Sequence, residues 1–146
     1  MAGNDRSRLP RTTAGQHLCL LVGVLLLLLG VAGFFVTGFT DWTGGSKEQQ
    51  VIGFAVNPLS NVVHLVLAAI ALVGRTGRRR ARWSGIALLV LGVGLFAVAA
   101  NVGEDGGVLN LNWPTTTLHG VMAAAGLVIA FVPVRTAPGP GTAELR

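Results

Sequence analysis

Two histidines, His64 and His119, stand near the starts of two apolar stretches, and each has polar company at helical spacing. Asn61 lies three residues before His64. Thr115 and Thr116 lie four and three residues before His119. On a helix, residues three or four apart share a face. Asn57, just ahead of Pro58, has the residue type that closes a helix N-terminus. Polar groups of this kind are unfavourable against lipid, so they belong inside a bundle. Imidazoles on facing helices have three uses there: they ligate a metal or a haem iron, they hold a small solute, or they hydrogen-bond between helices. Glu104 and Asp105, in a nearby loop, would extend a metal set of His64, His119 and carboxylate oxygens. The plainer use of Asn57, Asn61, His64, Thr115, Thr116 and His119 is a packing cluster of interhelical hydrogen bonds, each contributing about 1 kcal/mol. No catalytic signature accompanies them: there is no phosphate loop, no cysteine pair and no nucleophile elbow. His17 falls at the far end of its stretch and reads as interfacial. Cys19 is the lone cysteine, so it forms no intrachain disulfide and reads as a small buried hydrophobe.

The elements that position these groups are set by hydropathy. The chain of 146 residues is 51% hydrophobic and 12% charged, about half the charge of an ordinary soluble domain. Mean hydropathy is +0.65. Four charge-free apolar spans are predicted at about 18–36, 58–74, 84–102 and 115–134, each close to the length a bilayer requires. The fold class expected is all-α, a four-span transmembrane bundle. Residues 1–16 and 135–146 read as disordered cytoplasmic ends. Asn57-Pro58 opens the second span with a cap and a proline at the first helical position. Counting in from Pro58 and Pro114 places both histidines about 8–9 Å along their helices, at similar depth. Gly23 and Gly30, and again Gly85 and Gly92, repeat at seven residues and permit close helix approach.

Charge fixes the expected orientation. Ten of the eleven basic residues fall in the N-terminal lead, the second loop and the tail; only Lys47 falls in the first or third loop. The positive-inside rule therefore places both termini and the arginine-rich loop in the cytoplasm. Arg75, Arg78, Arg79, Arg80 and Arg82 would meet anionic lipid headgroups there. The net charge of +5 is a topology signal of a membrane-embedded chain and not a nucleic-acid footprint. Charges are absent from the span centres, which argues against an ion or proton relay.

The halves show a weak internal repeat: Gly33-Phe34-Phe35 beside Gly94-Leu95-Phe96, a Gly-Gly pair in each following loop, then Asn, Pro and His. It reads either as a parallel 2+2 repeat about the membrane normal or as convergence on one hairpin design. The stretch from Gly33 to Phe39, followed by Ile52 to Leu65 with its Asn-Pro-Leu-x-Asn-x-x-His-Leu string at 57–65, resembles a bacterial family of small four-helix membrane proteins of unknown function. The resemblance covers roughly residues 16–134. It implies the four-span fold, singles out Asn57, Asn61 and His64, and implies no reaction or cofactor. The expected role is a non-enzymatic accessory or envelope-related membrane protein without a cofactor. The alternatives are a haem- or metal-binding redox subunit using His64 and His119, and a small solute-binding or transport module.

Overall fold

Thr13 starts the first helix by accepting the Gln16 amide on its hydroxyl, while the Gln16 side chain accepts the Thr13 amide in return. This reciprocal cap satisfies two N–H groups that a helix start leaves open. Helix α1 then runs Ala14–Thr37. A two-residue antiparallel hairpin follows, β1 at Gln50–Val51 and β2 at Phe54–Ala55, turning through Ile52 and Gly53. Both turn residues have positive φ, 51° and 86°, as a tight two-residue hairpin turn demands. Helix α2 spans Pro58–Arg75, α3 Arg78–Asn101 and α4 Trp113–Phe131, with a short 3₁₀ turn at Gly107–Leu109. This computed structural model describes residues 12–44, 48–102 and 106–132.

Each of the four helices is long and apolar enough to cross a membrane. Large apolar side chains point outward along them, such as Leu25, Leu28, Val90 and Val121. Water would make such a surface costly, whereas lipid solvates it. Trp83 at one end, and Trp42 and Trp113 at the other, are exposed where indoles favour the headgroup boundary. The protein is thus a multi-pass membrane protein, an all-α bundle of four transmembrane helices.

The bundle is two helical hairpins. The tightest packing is α1 against α2 and α3 against α4, while α1 meets α4 sparsely. Glycines bring the backbones together. A methyl group on Gly126 would meet the Leu89 amide nitrogen at 2.5 Å, and one on Gly85 would meet that of Ala130 at 2.6 Å. Gly23 and Gly30 do the same for α1 against Leu72 and Leu65 of α2. The backbones of α2 and α4 do not approach each other; these helices face across the bundle's diagonal. Two long-range bonds hold the opposite end: Gln16 Nε2 donates to Arg75 O at 2.9 Å, and Ser84 Oγ to Ile70 O at 2.7 Å.

Two boundaries differ from expectation. Ala14, Gly15 and Gln16, expected in a disordered lead, form the first turn of α1, because the Thr13 cap starts the helix ahead of its apolar run. Arg78, Arg79, Arg80 and Arg82, expected in a loop, lie in the first turns of α3, and only Thr76 and Gly77 connect α2 to α3. Arginine is a good helix former, so the helix continues beyond its apolar segment into the charged run. The far end of the fourth span, expected near 134, lies outside the described residues.

Candidate functional site

The site begins with two matching helix starts. Asn57 caps α2 by accepting the Ser60 amide at 2.8 Å, and Asn112 caps α4 by accepting the Thr115 amide at 3.0 Å. Each histidine follows its capping asparagine by seven residues, His64 from Asn57 and His119 from Asn112. Both therefore sit about 10 Å in from the helix start, two turns deep.

Above the histidines the loops are stitched into a lid. Asn57 Nδ2 donates to Gly44 O at 2.7 Å and Val108 O at 2.8 Å. Asn110 Nδ2 donates to Val56 O at 2.9 Å, and Asn112 Nδ2 to Gly53 O at 2.8 Å. Thr115 Oγ1 lies 2.7 Å from Asn112 Oδ1 and 3.3 Å from Ala55 O. Thr116 Oγ1 donates back to Asn112 O at 2.9 Å. Thr115 and Thr116 are thus lid and cap groups. Neither bonds to His119, whose ring nitrogens have no hydrogen-bond partner.

Below the lid, His64 and His119 are 1% and 2% exposed, and Asn61 is fully buried. The two rings approach across the diagonal, centroids 6.1 Å apart and tilted by 35°. Asn61 projects from α2 onto Gly33 of α1, and any side chain at 33 would collide with its carboxamide. Thr37 orients that carboxamide. Its hydroxyl donates to Gly38 O at 3.1 Å and accepts Asn61 Nδ2 at 3.0 Å, while Asn61 Oδ1 lies against Gly33 without a hydrogen-bond partner.

Four buried polar atoms here have no hydrogen-bond partner: Asn61 Oδ1, His64 Nδ1, His119 Nδ1 and His119 Nε2. Leaving such an atom unpaired costs about 1–3 kcal/mol, and folded proteins rarely tolerate it. Their occurrence on neighbouring turns of two facing helices makes this the candidate site for a ligand or water that would supply the bonds. Its chemistry follows from the inventory. Asn61 Oδ1 accepts only, and a neutral imidazole offers one donor and one acceptor. A matching ligand must donate and accept. Among the described residues no Asp, Glu, Lys or Arg is buried, so none of them balances an ion there, which favours an uncharged ligand.

A metal would call on His64 and His119 together with Glu104 and Asp105. A ligating histidine ordinarily donates its second nitrogen to a carboxylate, carbonyl or water. His119 has no such partner on either nitrogen. Among the described residues no three His, Cys, Asp or Glu side chains are grouped. Glu104 and Asp105 lie outside the described residues.

The remaining residues singled out by sequence lie elsewhere. Arg75, Arg78, Arg79, Arg80 and Arg82 are exposed at the opposite end of the bundle, where Arg80 donates to Thr76 Oγ1 at 2.9 Å. His17 is at that same end, 2.9 Å from Thr12 Oγ1. Cys19 is buried where Gly74 lets α1 and α2 close on it. Thr37 carries no sequence signal as a site residue, because its partner Asn61 is in another helix. Gly33 is visible in the sequence as part of the repeat and of the stretch that resembles the family, with nothing that pairs it with Asn61.

No curated protein and no solved structure matches the chain. The family model described as a domain of unknown function, DUF4383, matches residues 16–132, most of the chain, and the protein belongs to that family.

Proposed function

We propose that this protein is a non-enzymatic accessory component of the cell membrane that holds a small uncharged ligand at Asn61, His64 and His119. The observation behind this reading is the set of four unpartnered polar atoms on Asn61, His64 and His119, within about one helical turn of one another along α2 and α4. A purely structural polar cluster satisfies itself, as the lid above does, bond by bond. This one does not. The arginine-bearing end of the bundle is cytoplasmic in this reading, with both termini, and its exposed guanidiniums meet anionic headgroups. Among the described residues the acidic side chains, Asp41 and Glu48, belong to the opposite end.

The test is chemical analysis of the gently purified protein. Metal content, a visible spectrum and the organic-solvent extract are compared for wild type, His64→Leu and His119→Leu. A colourless, metal-free protein with a small molecule that disappears in both variants is the expected result. A Soret band or stoichiometric metal lost in both would replace the uncharged ligand with the haem or metal reading of the same imidazoles. Identical extracts from all three, with no metal, would overturn the binding role.

A further inference from the structure

A ligand approaching the histidines through the loops must pass Asn57, Asn110 and Asn112, whose amides lock the lid to backbone carbonyls on both sides. The bundle's flank is different. Between α1 and α4, the sparsely packed pair, lies a cleft of about 380 Å³ with almost wholly apolar walls. Leu26 and Ala32 line it from α1, and Leu118, Met122 and Ala125 from α4. Ile52 and Phe54 of the β-hairpin also line it, so it reaches the lid end of the bundle. Its α4 wall brackets His119 in sequence, although His119 itself does not line it. Leu118 immediately precedes His119, and Met122 follows it by three residues on the same helix face. Met122 and Leu26 are both 3% exposed and separate cleft from core. A methionine has a flexible, unbranched side chain that readily changes rotamer, so a partition made of one can swing.

We infer that the polar site is filled sideways from the lipid, through the α1–α4 cleft past Met122, by an amphiphile of the prenylated hydroquinone class. Its apolar chain lies in the cleft, and its hydroxyls meet His64, His119 and Asn61. A phenolic hydroxyl both donates and accepts, as the unpartnered atoms require. It carries no charge at neutral pH, which suits a site with no buried counter-charge among the described residues. A chain on the ligand matches the apolar cleft, which a small polar solute would leave unused. This inference rests on the reading of Asn61, His64 and His119 as a ligand site.

The experiment titrates ligand-stripped, full-length protein in nanodiscs with geranyl-hydroquinone and with plain hydroquinone under reducing conditions. Partition into protein-free nanodiscs is subtracted. Saturable binding of the prenylated probe is expected, with the bare head group weaker by about tenfold or more, since each buried methylene contributes roughly 0.8 kcal/mol. Ala125→Phe fills the cleft without touching the polar site and should weaken the prenylated probe alone by about tenfold. His119→Leu should abolish binding of both. Equal binding of the two probes, or indifference to Ala125→Phe, overturns lateral entry while the polar site stands. Binding that survives His119→Leu overturns the polar site as the receptor. No saturable binding of either probe overturns the hydroquinone class, and the extract comparison above then decides separately whether the polar site holds anything.

Discussion

Replacing His119 by leucine should stabilise the ligand-stripped protein. The two side chains are similar in volume, so the change removes polar atoms without opening a large cavity. His119 buries two ring nitrogens without partners, each costing about 1–3 kcal/mol when left unpaired. Water reaching the ring nitrogens would recover part of that cost. A net gain of about 2 kcal/mol is expected, read from reversible SDS unfolding in mixed micelles against wild type. His119→Ala is the wrong comparison, since truncation adds a cavity penalty of about 2–5 kcal/mol. Ligand reverses the order. At a hundred times its dissociation constant, it stabilises wild type by about 2.7 kcal/mol and the variant not at all. If the histidines were packing groups, the same substitution would break interhelical bonds of about 1 kcal/mol each and destabilise the bundle. A loss of 1 kcal/mol or more in the ligand-stripped His119→Leu protein would refute the reasoning.

Further substitutions probe the frame around the site. Asn57→Asp keeps the oxygen that caps α2 and loses the two donors to Gly44 O and Val108 O. It should cost about 2 kcal/mol and speed amide exchange in the loops around Gly44 and Val108. Gly126→Leu places a side chain where a methyl alone would meet the Leu89 backbone at 2.5 Å. It should destabilise the α3–α4 hairpin by about 3 kcal/mol, with cysteine crosslinking between those helices falling in parallel. Thr37→Val removes the acceptor of Asn61 Nδ2 and should cost about 1–2 kcal/mol in thermal or SDS unfolding. Reporter fusions at Thr76 and Gly77 should place that turn in the cytoplasm, and an external report there would reverse the proposed orientation.

The four helices were legible because lipid imposes one requirement, a long apolar stretch without charge, and each stretch meets it without help from its neighbours. Asn57-Pro58 was legible for the same reason: a cap is a local device. The start of α3 was not, because Arg78 to Arg82 look unlike a span, although arginine extends a helix readily. The hairpin at Gln50–Ala55 is too short to leave an alternating pattern, and Ile52 adopts a positive φ that a β-branched residue ordinarily avoids. In the site, the spacing of Asn61 with His64 placed both on one face of α2. That His64 meets His119 is a property of the bundle's diagonal, set by which helices close-pack through Gly85, Gly126 and their counterparts in α1. The pairing of Gly33 with Asn61 is likewise tertiary. Thr115 and Thr116 shared a helical face with His119, yet their hydroxyls bond to nearer backbone and cap oxygens, as Thr commonly does.

Native mass spectrometry of the protein released directly from membrane fragments tests the ligand site most directly, with wild type measured beside His64→Leu and His119→Leu. A single bound mass at near-stoichiometric occupancy in wild type, absent from both variants that still fold, is the expected result. Wild type free of any adduct, or an adduct retained equally in all three, would contradict a ligand held by His64 and His119.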